Sequence, residues 1–174
     1  MRALYAQVPK IACQGKCWDS CGPIRMSPWE EFMTTRAGIA IEPGHFVEDD
    51  EGRSHGTVCT ALDLDTLQCQ IYDARPMICR LWGVFRAMRC PHGCVPDDQL
   101  MDDVEAMKLL ALSEWYGGEP GALSPEQIEL HYNDPDLQQQ LREFLKGKEP
   151  VADPSTIVRN GVIIAAGANL GGDE

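Results

Sequence analysis

Long hydrophobic runs are missing from this chain of 174 residues. The longest apolar stretch, Val162 to Ala168, is interrupted by Gly167 and falls far short of the ~18 residues a membrane span needs. The opening segment, Met1 to Lys10, has no apolar block of the kind that marks a secretory signal. These two absences predict a soluble protein of the cytoplasm, or one built into a particle assembled there. Aromatic residues are scarce as well, at 7%, so the core should be modest. A chain of that kind often draws extra stability from disulfides or metal. Basic residues are outnumbered, 15 against 27 acids, for a net charge of −12. That balance argues against nucleic acid, which needs a dense basic surface, and against anionic membrane. Catalytic signatures are also lacking: there is no Ser/His/Asp pattern and no phosphate-cradling glycine loop. Asp63 and Asp65, the carboxylates best placed near the cysteines, have no acid/base partner in the pattern. There is no internal repeat and no low-complexity block.

What the chain does have is eight cysteines, all between Cys13 and Cys94, and none in the last eighty residues. In a reducing compartment such a set points to metal ligands rather than disulfides. The charge is uneven too. Residues 70–94 carry Arg75, Arg80, Arg86 and Arg89 against Asp73 alone, whereas residues 95–153 carry fourteen acids and four bases.

The cysteines fall into three sets: Cys13, Cys17 and Cys21; Cys59, Cys69 and Cys79; Cys90 and Cys94. Thiolates suit zinc and iron–sulfur clusters, both of which favour four ligands. Eight cysteines could make two such sites, or one with spare thiols. A helix through residues 13–21 would align the first three sulfurs but separate Cys13 from Cys21 by ~12 Å. With zinc–sulfur bonds of ~2.3 Å, the outer two could not then share one ion. If all three serve one centre the segment must be a loop, and Gly15, Gly22 and Pro23 suit one. The C-x3-C-x3-C spacing is close to, but distinct from, the C-x3-C-x2-C loop of radical SAM enzymes, and the chain is short for their barrel. His92 could add a ligand between Cys90 and Cys94, although a lone histidine in a turn is more often exposed. His45, His55 and His131 have weaker claims. Pro91 and Gly93 also allow Cys90 and Cys94 to flank an ordinary turn.

Capping patterns place the helices. Ser27-Pro28-Trp29-Glu30 is a capping box, predicting a helix to about Ala37 that stops at Gly38. Residues 39–56 read as strand fragments and loop, Leu67 to Tyr72 as a short strand, and Pro76 to Trp82 as a second helix. Leu100, Met101, Val104, Met107 and Ala111 recur at helical spacing and predict a helix ending at Gly117-Gly118. Ser124-Pro125-Glu126-Gln127 repeats the cap, and Asp134-Pro135-Asp136 opens a last helix reaching about Lys146-Gly147. The predicted fold is a small irregular α domain with minor β, organised by metal, with a loop-rich cysteine cluster followed by a helical C-terminal half. We divide it into a metal-binding domain at 1–96, a helical extension packed on it at 97–149, and a flexible or partner-ordered tail at 150–174.

Met26-Ser27-Pro28-Trp29-Glu30-Glu31, Cys59-Thr60-Ala61-Leu62-Asp63 and the run Cys69-Gln70-Ile71-Tyr72-Asp73-Ala74-Arg75-Pro76-Met77-Ile78-Cys79-Arg80 together resemble the YkgJ-type cysteine-cluster family. The last run is the specific one. That family is associated with zinc or iron chelation and is similar to the metal-binding part of flagellin lysine N-methylases. Its first cluster is tighter, often C-x2-C-x2-C-C, where this chain has Gly22-Pro23 after Cys21.

The resulting expectation is a protein using Cys13, Cys17, Cys21, Cys59, Cys69, Cys79, Cys90 and Cys94 to hold a [4Fe–4S] cluster, with zinc as the alternative. Arg75 and Arg80 would stand behind the ligands and offset the cluster's negative charge. A salt bridge from Arg75 to Asp73 is the competing reading. The cluster would be structural or redox-sensing, in an interaction or assembly component of bacteria or their phages. Its protein partner would meet the helical half and tail. The alternatives are a zinc-binding adaptor, or an enzyme subunit related to lysine methylation. The absence of a substrate site favours a protein that is not an enzyme.

Overall fold

The computed structural model describes residues 1–22, 24–41, 45–48, 54–97, 99–145, 156–159 and 162–165. In chain order the elements are α1 (Arg2–Tyr5), α2 (Pro28–Arg36), β1 (His45–Glu48), β2 (Ser54–Val58), β3 (Leu62–Asp63), β4 (Gln68–Cys69), α3 (Met77–Leu81), α4 (Asp103–Tyr116), α5 (Pro125–Tyr132), α6 (Pro135–Leu145), β5 (Thr156–Arg159) and β6 (Val162–Ala165). The strands form three antiparallel pairs, β1–β2, β3–β4 and β5–β6. The cysteines therefore sit in a half made of loops, short helices and short strands, and the C-terminal half is helical, as the sequence predicts. No helix among the described residues is long and apolar enough to cross a membrane.

The capping boxes at Ser27/Glu30 and Ser124/Gln127 both form, each with proline in the first turn. Helix α4 starts later than the apolar spacing suggests. Asp102 Oδ1 accepts a hydrogen bond from Val104 N at 2.9 Å and fixes the helix start there. Met101 instead pairs in extended form with Phe85, its N–H bonding Val84 O at 2.8 Å. The strand expected over Leu67 to Tyr72 shortens to Gln68–Cys69 and gives way to a 3-10 turn at Tyr72–Ala74. Its amides turn inward, Ala74 N to Ile71 O at 2.8 Å, instead of continuing a ladder. Pro23, residues 42–44 and 49–53, and the expected helix end at Lys146-Gly147 lie outside the described residues, as does most of the 150–174 segment apart from the β5–β6 pair.

The core joins both halves. Met77 and Leu81 of α3, Val84, Phe85 and Leu4 pack with Val104, Met107 and Leu110 of α4, Ile128 and Tyr132 of α5, and Leu145 of α6. Each large apolar side chain so buried stabilises the fold by roughly 1.5–3 kcal/mol. Helix α4 is buried along much of its length, including Ala106, Leu109, Ala111 and Ser113, so it acts as the axis of the helical half.

The end of α4 meets the start of α2. Gly117 O accepts from Trp29 N at 3.0 Å. A Cβ at Gly117 would fall onto the Oγ and Cβ of Ser27 and lie 2.6 Å from Ser113 O. Ser27 and Ser113 are both buried and have little room to yield. Gly117→Ala is therefore expected to destabilise the protein by about 1–3 kcal/mol. Chemical denaturation would show this as a lower midpoint at unchanged slope; an unchanged midpoint would mean the contact is slack.

Candidate metal centre

Six of the eight cysteines line one cavity of about 420 Å³: Cys13, Cys17, Cys21, Cys59, Cys69 and Cys79. Three stretches bring them there. Cys13, Cys17 and Cys21 come on a loop with a single 3-10 turn at Trp18–Ser20, not on an α-helix. This is the conformation the spacing argument requires for a shared centre. The β3–β4 pair supplies the second stretch. Leu62 pairs with Cys69, Gln70 N bonds Ala61 O at 2.9 Å, and Cys59 lies at its mouth. Asp63 Oδ1 closes the connecting turn by accepting from Asp65 N at 3.0 Å and Thr66 N at 2.8 Å, which holds its carboxyl below the usual range. Its role is thus in the turn. A backbone bond from Cys59 N to Cys21 O at 2.6 Å ties the first two stretches together.

Cys79 arrives on α3, whose Met77 and Leu81 are fully buried in the core. Buried Glu30 fixes the start of that helix. Its Oε1 accepts from Met77 N at 2.7 Å and from the Tyr5 hydroxyl at 3.2 Å, while Oε2 accepts from Ser27 N at 3.0 Å and Ser27 Oγ at 2.9 Å. One carboxylate thus joins α1, α2 and α3.

Backbone amides already address two of the sulfurs. Gly15 N donates to Cys13 Sγ at 3.3 Å and Ala61 N to Cys59 Sγ at 3.4 Å. Such N–H···S contacts favour the thiolate that a metal requires. Burial pushes the Cys21 thiol up to about 12, the Cys17, Cys59 and Cys69 sulfurs adding to the effect and the Arg75 guanidinium opposing it. Burial also raises Cys79, with Cys59, Cys21 and Cys69 adding and Arg75 opposing. Cys59 is raised by burial against the Ala61 amide. Burial and neighbouring sulfurs act in the same direction on these thiols, so a cation bound among them would offset both.

Arg75 lines the cavity, its Nε donating to Tyr72 O at 3.0 Å and its guanidinium lying 3.5 Å from the Tyr72 ring centre. Arg80 is not among the lining residues. It donates to Arg75 O at 2.7 Å and to Asp73 O, and it stacks 4.3 Å over the Tyr5 ring. Arg80 thereby holds the turn that carries Arg75. Cys90 and Cys94 are buried but lie off the cavity. Cys90 packs where Gly83, at φ +86°, leaves space: a Cβ there would stand 3.5 Å from Cys90 Cβ and 3.1 Å from Ile11 Cδ1. His92 and His131 are exposed, and neither lines the cavity; the side chains of His45 and His55 lie outside the described residues.

The rest of the wall is mainly apolar, with Ile24, Leu62, Ile78, Trp82, Met88 and Leu145 among it. Among the described residues, no three cysteine, histidine or carboxylate side chains are gathered in an arrangement that could hold a single ion. Six cysteines line a space and do not converge on a point. In donor type, N–H···S contacts and a facing guanidinium, the residues fit a thiolate-bound metal group. Sequence reasoning missed two residues of this region. Glu30 was legible only as a local cap. Trp82, which directly follows α3, carried no motif that would single it out.

No curated protein and no solved structure matches the chain. Residues 12–95 match the CxxCxxCC family, described as "Putative zinc- or iron-chelating domain", a description that supports metal binding by these cysteines. The matched segment, a little under half of the chain, spans all eight cysteines and is similar to that cysteine-cluster family.

Proposed function

We propose that the cavity holds an iron–sulfur cluster of the four-iron type, bound by four of Cys13, Cys17, Cys21, Cys59, Cys69 and Cys79. The observation that carries this reading is the cavity itself, six cysteines spread round about 420 Å³ with a guanidinium on the wall. A tetrahedral zinc site draws four sulfurs to ~2.3 Å from one ion. A cluster fills more space, takes ligands from several directions and carries negative charge that Arg75 offsets. Cys79 comes on α3 and Cys69 on β4, and Cys21 and Cys59 are joined through backbone. The remaining thiols are the surplus, and Cys90 and Cys94 serve packing or a second site.

In this reading the cluster is structural or redox-sensing. It closes the loop-built half against the helical half, which offers an acidic surface to a protein partner in the cytoplasm or in a particle assembled there. Zinc is the second reading, favoured by the family description, which names both metals. Anaerobic purification followed by metal and sulfide analysis separates the two. The expected protein is brown, with about four iron and four sulfide per chain. A colourless protein with stoichiometric zinc would reject the cluster and leave the same cysteines holding zinc.

A further inference from the structure

Among the described residues, one buried side-chain nitrogen or oxygen has no hydrogen-bond partner: Nε1 of Trp82. Trp82 follows α3 directly, its backbone N–H bonding Ile78 O at 3.2 Å, and it is one of the residues lining the same cavity as Cys79. An indole N–H can only donate. Buried polar groups are nearly always paired, and leaving one unpaired costs about 1–3 kcal/mol. A protonated thiol is a weak acceptor, whereas a thiolate or sulfide in a metal centre is a good one. The residue carrying the unpartnered donor and the residues carrying the candidate acceptors therefore share one cavity wall.

We infer that the Trp82 indole N–H donates a hydrogen bond to a metal-bound sulfur, and so acts as a positioning residue for the centre. This rests on the metal reading of the same site. The bond forms with the metal, because loading converts the thiols into acceptors. It steadies the ligand sphere and lowers the electron density on sulfur, making the centre easier to reduce if it is an iron–sulfur cluster.

The test uses the full chain with ¹⁵N-labelled indoles, loaded with zinc or cadmium so that spectra stay sharp, beside Trp82→Phe, which keeps the ring packing and removes the donor. The Trp82 Nε1–H resonance, identified by its absence from the variant, should move downfield on loading and exchange with solvent more slowly. Trp82→Phe should bind the metal 10–100-fold more weakly. Its metal-free form should melt no lower than the parent, because the donor it lacks has no partner there. A resonance unmoved by stoichiometric metal, or unchanged affinity in the variant, overturns the inference and leaves the metal site standing. If neither protein takes up zinc, cadmium, or iron supplied with sulfide under anaerobic conditions, the metal reading fails and the hydrogen bond with it.

Discussion

Cys79→Ser is expected to abolish metal loading. A serine oxygen is a hard, weak donor for the soft metals that thiolates select. It would also sit where burial and neighbouring sulfurs already oppose a negative charge. Structural zinc contributes on the order of 10–16 kcal/mol in small domains, so losing the centre should release the segments it holds together. The loss should be confined. Met77 and Leu81, on either side of Cys79, are fully buried in the helical core, so α3 should stay in place. The loop at 13–22 and the β3–β4 pair should loosen instead. Metal analysis should find the variant empty, and hydrogen exchange should show new opening in those two segments with α4 still protected. Full loading of the variant would remove Cys79 from the ligand set.

Glu30→Ala should cost about 3–5 kcal/mol, because deleting one buried acceptor strands several buried donors at about 1–3 kcal/mol each. Met77 N–H and the Ser27 N–H and hydroxyl lose a buried acceptor, and the Tyr5 hydroxyl loses its bond. Glu30→Gln keeps the shape and one acceptor oxygen, and should recover part of the loss. Urea unfolding of both variants measures this. A change below about 1 kcal/mol for the alanine variant would show that the cross-link between α1, α2 and α3 is not needed.

The pair of variants also shows what the sequence could and could not express. Ser27, Pro28 and Glu30 are neighbours, so the capping box was readable as a short-range pattern. The Tyr5 and Met77 contacts of the same carboxylate come from residues 25 and 47 positions away and leave no local trace. Likewise, the x3 spacing was enough to require a loop at 13–21, because helix geometry is fixed. Spacing could not separate Cys90 and Cys94 from the other six, since that depends on how Gly83 and Ile11 pack around Cys90. The start of α4 was misplaced because Leu100 and Met101 are apolar for a different reason: they precede the helix, and Met101 bridges to Phe85. The roles of Arg75 and Arg80 were readable as charge, but their division was not. One lines the cavity and the other braces the turn that carries it.

The shared core bears on where this protein could be cut. The family match ends at residue 95, but Val84 and Phe85 inside it are wholly buried in a cluster that takes its other members from α4, α5 and α6. Leu145, at the far end of α6, belongs both to that cluster and to the cavity wall. A fragment truncated at the end of the match would carry every cysteine into solution with one wall of its cavity incomplete and an apolar face uncovered. The module recognisable by its cysteines is therefore smaller than the piece that must be inherited, expressed or transplanted together.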